Sequence, residues 1–204
     1  MSGCCDDNCT VEALRDSQRG TLYSVLAINT VMFLVIVIAA LYAKSTALFA
    51  DSLDNFGDAL TYGLSLYVVS SGASAKAKVA LFKGVLILAA ACMVAIQILY
   101  KLSFPSTPIF EVMGIFSLVG LAANSLCLLL LWRHRNEDIN MNSVWECSRN
   151  DIASNLSVFV AAAGVWLTGS GWPDILVAIA LVSLLLRSSF RVMSAATTEI
   201  RIAT

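Results

Sequence analysis

The sequence predicts an all-α integral membrane protein with six transmembrane helices and both termini in the cytoplasm. Three observations lead there. The 204-residue chain is 58% hydrophobic, with a mean hydropathy of +0.80. Charged residues make up 13% of it, about half the share usual in a soluble domain. The basic residues are also distributed unevenly between alternate loops. A net charge of -1 argues against a nucleic-acid partner.

Six apolar segments are each long enough to cross a hydrocarbon core of roughly 30 Å at 1.5 Å per residue. The first, 21–42, is too long for a signal peptide and follows an acidic, cysteine-bearing segment. The second, 45–70, carries no charged residue besides Asp51, Asp54 and Asp58. The third, 79–101, follows the small-residue stretch SSGASAKAK, and the fourth, 111–132, follows LSFPSTP. The fifth, 143–168, follows the charged stretch RHRNEDINMN, and the sixth, 174–193, follows GSGWP. This divides the chain into a cytoplasmic tail (1–20), a six-helix transport domain (21–193) and a short cytoplasmic stub (194–204).

With the N-terminus inside, inner segments hold Arg15, Arg19, Lys76, Lys78, Arg133, Arg135, Arg191 and Arg201. Outer loops hold Lys44 and Lys101. Eight basic residues against two is a strong positive-inside bias.

The aspartates of the second span fall at i, i+3 and i+7, which stacks them on one helix face. One Asp at the bilayer centre costs roughly 2.5–3.5 kcal/mol on insertion scales, so three imply an interior-facing polar or ion-conducting role. The fifth span carries Cys147 and Asp151 at i and i+4, the spacing of Asp54 and Asp58. Two helices that each offer two ligands one turn apart can surround a tetrahedral divalent metal. Antiparallel pairing of the two spans sets Asp54 level with Asp151 and Asp58 level with Cys147. Counted at 1.5 Å per residue, Asp58 lies roughly 18 Å from Ser70 and Cys147 only about 6 Å from Ser143. The depths agree only if the fifth helix starts near Ile139 or the second extends beyond the membrane.

On these motifs the chain resembles the cation diffusion facilitator family of divalent-metal/proton antiporters. The family's second helix reads AD..(H/D)...D, matched by Ala50-Asp51, Asp54 and Asp58; its fifth reads (H/D)...D, matched by Cys147 and Asp151. Asn124 in GLAANSL and Asp174 in GWPDI resemble residues common in its fourth and sixth helices. The resemblance covers the chain from the first span to the last. It implies a short branch without the family's C-terminal cytoplasmic metal-binding domain. The loop between the second and third helices also lacks the His and Asp that often bind a second metal there.

The implied metal ligands are Asp54, Asp58, Cys147 and Asp151. Three carboxylates would suit Mn, Mg or Ca, and the thiolate shifts preference toward Zn²⁺, with Cd²⁺ also carried. Fe²⁺, Co²⁺, Mn²⁺ and Hg²⁺ stay open. The cation is cargo, and no permanently bound cofactor is expected. Four acids in a low-dielectric site cannot all be charged without a cation, so the empty site holds protons that metal expels. The resemblance implies export from the cytoplasm driven by inward proton flow, in a multi-pass homodimer of the cell membrane, a bacterial inner membrane. No enzymatic activity is expected.

Asp51, Asn124 and Asp174 are candidates for an accessory or proton path. Asp51 also reads as an outer gate or a helix-end residue, and Asn124 and Asn155 as interhelical hydrogen-bonders. Cys4, Cys5 and Cys9 offer a secondary capture site for soft metals or simply free thiols in a reducing compartment. Cys92 and Cys127 read as small buried hydrophobes. Lys83, in the third span, reads as a side chain that snorkels inward. Two other functions fit the composition: a membrane-embedded metal sensor or accessory subunit working through the tail cysteines, and an aspartate-lined cation or proton channel. A sensor needs no acids inside spans, and a channel more naturally repeats one acid around a ring of subunits.

Overall fold

The computed structural model describes the backbone of residues 4–68, 73–132 and 139–202, with side chains described over 20–63, 66, 78–132, 149–198 and 200–201. Six helices fill these ranges: α1 (Cys4–Ala43), α2 (Thr46–Val68), α3 (Ala73–Ser103), α4 (Phe110–Trp132), α5 (Ile139–Thr168) and α6 (Trp172–Ile202). No strand occurs among the described residues. Four helices clearly outrun their apolar segments, and α1 does so most, starting at Cys4 inside the stretch expected to be a tail. The second half of SSGASAKAK is already the start of α3, α5 begins at Ile139, and α6 continues past Met193 to Ile202. Hydrophobicity marks where a helix lies in hydrocarbon, whereas Ala, Lys, Met, Ser and Arg in these flanks continue a helix into water with little propensity cost.

Among the described residues five helices, α1, α3, α4, α5 and α6, are long and apolar enough to cross a membrane. The sixth helix, α2, is interrupted by Asp51, Asp54 and Asp58, and its position explains how it tolerates them. Large apolar side chains are exposed on α1, α3, α4, α5 and α6, for example Ile38, Ile96, Leu129, Leu167 and Leu176. Among the described residues α2 exposes none. It packs against α1, α3, α5 and α6, while α3 pairs with α6 and α4 with α5. The outer helices therefore present an apolar surface suited to lipid, and α2 is shielded from it.

The core is built from Ile36, Leu48, Leu53, Val94, Val158 and Leu181, contributed by five helices. Two glycines admit close approach. A Cβ on Gly84 of α3 would collide with the Met193 side chain of α6, and Ser189 Oγ donates to the Gly84 carbonyl at 2.8 Å. On α4, a Cβ on Gly120 would overlap Asn155 Oδ1 of α5. Small residues at such crossings let membrane helices approach and gain van der Waals contact.

The turn between α1 and α2 fixes where α2 begins. Lys44 takes a left-handed conformation (φ 53°), and Ser45 N bonds the Ala40 carbonyl at 3.0 Å, closing the end of α1. Ser45 Oγ then accepts from Leu48 N at 3.0 Å as the N-cap of α2. The remaining free N–H groups, on Thr46 and Ala47, donate to Asp174 at 2.9 and 3.0 Å.

Candidate metal site

The axial contacts between α2 and α5 set the geometry. Ser154 Oγ reaches Asp54 Oδ2 at 3.5 Å, and the side chains of Asp58 and Asp151 meet within hydrogen-bonding reach. The two helices run antiparallel, so each step down α2 is a step up α5. Asp151 therefore stands opposite Asp58, whereas simple antiparallel pairing set it level with Asp54. Ser154 takes the place opposite Asp54. α5 starts at Ile139, one of the two adjustments that the depth count left open.

Asp51, Asp58 and Asp151 are all buried, and Asp54 is partly so. Asp58 also accepts from the Tyr62 hydroxyl at 3.2 Å and lies close enough to Lys83 of α3 to feel its charge. Lys83 thus points a cation toward the acidic interior. Asp51 sits one turn from Asp54 on the same face, with Oδ2 lacking a hydrogen-bond partner.

Uncharged polar groups surround these acids. Asn155 Nδ2 turns back to the Asp151 carbonyl at 2.8 Å, and Asn55 Nδ2 to the Asp51 carbonyl at 3.0 Å. Their Oδ1 atoms, and both side-chain polar atoms of Asn124, have no hydrogen-bond partner. Asn124 and Asn155 therefore do not bond across helices as their composition suggests. Both leave buried acceptors free, Asn155 Oδ1 against Gly120 of α4, an arrangement that costs stability unless an ion or water uses it.

Cys147, the fourth expected ligand, has its backbone on α5 one turn before Asp151; its side chain lies outside the described residues, as do those of Cys4, Cys5 and Cys9 on the first turns of α1. Among the described residues no three His, Cys, Asp or Glu side chains stand together as a metal-binding group. Cys92, expected to be buried, is exposed on α3, while Cys127 is buried on α4 as expected. The exposed position is lipid-compatible because a thiol is nearly apolar.

Asp174 belongs to a different cluster. It is wholly buried and accepts from Ser45 Oγ at 2.6 Å, from the two α2 N–H groups and from Lys101 Nζ at 2.7 Å. One carboxylate thus fastens α6, α3 and the N-terminus of α2 together. Its four partners assign it to holding the helix ends; none of them is a residue of the aspartate cluster.

The residues missed in the sequence are Ser154, Tyr62 and Asn29. Ser154 lies three residues after Asp151, and Tyr62 four after Asp58, so helical spacing from the acids was the available signal. Asn29 gives no local signal, because the thiol that its amide approaches, Cys127, is on another helix.

Compared with known families, residues 22–200 match the profile described as the cation efflux transmembrane domain. No curated protein matches the chain.

Proposed function

The chain belongs to the cation efflux family of membrane transporters, and from that premise we propose that it exports a divalent transition-metal cation from the cytoplasm in exchange for protons. Zn²⁺ is the first candidate and Cd²⁺ the second. The observation that carries this reading is the meeting of Asp58 and Asp151 from two different helices inside the bundle, with Asp54 one turn away against Ser154. Cys147 precedes Asp151 by one turn and completes the donor set Asp54, Asp58, Cys147 and Asp151. Two carboxyl groups within hydrogen-bonding reach, away from water, need either a proton between them or a cation. A dication that replaces the proton is one half of an exchange cycle; reprotonation from the other side is the second half.

Export is the direction that the resemblance to the family implies, and the Lys and Arg distribution supports an orientation with both termini in the cytoplasm. The family supports a homodimer in the cell membrane. Asp51 and Asn124, each with unpartnered buried side-chain atoms, suit a path for protons or the dehydrated ion. Cys4, Cys5 and Cys9 suit metal capture at the cytoplasmic entrance.

The test is Zn²⁺ and Cd²⁺ uptake into proteoliposomes under an imposed pH gradient, comparing wild type with Asp54→Ala. Gradient-driven uptake that disappears in the variant is expected. Wild-type protein that binds metal and moves none would replace the transporter with a sensor working through its tail.

A further inference from the structure

Asp174 works across a seam between two helix pairs, α3 with α6 and α1 with α2. On one side of the seam Asp174 of α6 is paired with Lys101 of α3 at 2.7 Å. From there it reaches over to the start of α2, accepting from Ser45 Oγ at 2.6 Å and from Thr46 N and Ala47 N at 2.9 and 3.0 Å. A cavity of about 220 Å³ adjoins this contact, between the α3–α4 and α5–α6 connections. Lys101, Ser106, Thr107, Ser170 and Ile175 line it, and Thr107 is exposed, so solvent reaches it. On the interior side of the contact Leu48, Ile98 and Ala178, one each from α2, α3 and α6, belong to one buried apolar cluster. Asp51, the first of the α2 acids, stands one turn past Ala47, about 6 Å along the axis at 1.5 Å per residue. A wet cavity, an ion pair, an apolar layer and an acid therefore follow one another into the bundle.

Packed apolar residues hold helices together as well as a buried ion pair does, or better. The pair suits a contact that has to be broken. When α2 moves away, Asp174 keeps Lys101 as its counter-charge and exchanges three α2 donors for water from the cavity, so no buried charge is left alone.

We propose that this contact is a gate at one end of the transport path: the cavity is its mouth, and the bonds from α2 to Asp174 hold it shut over the apolar layer. Their release connects the acids to water on that side. The Lys and Arg distribution makes it the outer end. This rests on the transport reading, because the acids need access to the second side only if an ion leaves there.

The experiment uses right-side-out membrane vesicles carrying the full chain and a membrane-impermeant methanethiosulfonate. Labelling is read by peptide mass in two separate variants, Thr107→Cys in the cavity and Ile98→Cys in the apolar layer. Position 107 should react fast and position 98 slowly. Adding Ser45→Ala removes one bond across the seam. It should speed labelling at 98 about tenfold or more, the population shift for one hydrogen bond to a charged group, and leave position 107 unchanged. Adding Asp174→Asn/Lys101→Met, which strands no charge, should do the same. Zn²⁺ loaded inside, with an acid medium outside, should also speed labelling at 98, and Asp54→Ala should abolish that response. Unchanged labelling at 98 in both gate variants overturns the proposal. Equal acceleration at 98 and 107 with a lowered melting temperature also overturns it, since that is general loosening. So does a position 107 that reacts only in inverted vesicles. Zn²⁺ efflux that proceeds with labelling at 98 unmoved overturns the gate and leaves the transport reading standing, whereas a parent protein that moves no Zn²⁺ removes both.

Discussion

Replacing Asp174 by Asn changes one atom type in a side chain that four groups share. In the native protein the carboxylate is fully buried, pairs with Lys101 Nζ at 2.7 Å and accepts the N–H groups of Thr46 and Ala47. The amide keeps the shape and loses the charge. Lys101, 5% exposed, is left as a buried ammonium facing a neutral group, and the positive end of α2 loses its anion. Removing one partner of a buried pair costs about 3–5 kcal/mol. The helix terminus contributes on the order of 1 kcal/mol of that loss. Equilibrium unfolding in mixed micelles of increasing dodecyl sulfate content measures the difference. The double variant Asp174→Asn/Lys101→Met separates the causes: it removes the stranded charge and should recover a good part of the loss. A loss in Asp174→Asn below about 1 kcal/mol, the size of an exposed ion pair, would refute the reasoning. So would a double variant less stable than the single one, because the stranded ammonium would then not be the source of the cost.

Three further outcomes are expected. Gly120→Ala drives a Cβ into Asn155 Oδ1 and should cost about 1–3 kcal/mol by overpacking, with Asn155→Ala relieving most of it in a double-variant cycle. Tyr62→Phe removes the hydroxyl bonded to Asp58 and should lower stability by about 1 kcal/mol, read by the same micelle titration. Lys83→Met removes a cation near Asp58; Zn²⁺ affinity should rise by on the order of 1 kcal/mol, roughly fivefold in Kd by calorimetry.

Much of the fold was legible because the bilayer imposes lengths and apolar composition on each segment. The spans needed only their ends corrected: α3 begins inside a stretch expected to be a loop, and α6 runs beyond the apolar segment. Helix ends escape hydropathy because a helix need not stop where the hydrocarbon does. The candidate site was legible as a face. Asp51, Asp54 and Asp58 share one side of α2 by spacing alone, as Cys147 and Asp151 do on α5. Partners were not legible. Asn124 and Asn155 carry the composition of interhelical hydrogen-bonders and bond across no helix, and Asn155 Oδ1 lies against Gly120, which has no side-chain donor to offer.

The sequence alone determined the number of helices, which faces carry charge, and the asymmetry of Lys and Arg. These follow from the period of the helix and from the cost of putting charge in hydrocarbon, both local quantities. Only the tertiary structure decided that Asp58 meets Asp151, that Ser154 faces Asp54, and that Asp174 fastens neighbouring ends of three helices. Axial slide between two helices depends on how every side chain along both seams interdigitates, including small residues such as Gly120 that let one backbone approach another. A one-turn shift leaves each helix's own pattern intact while changing every partner, which is why the pattern could name the acids and could not pair them.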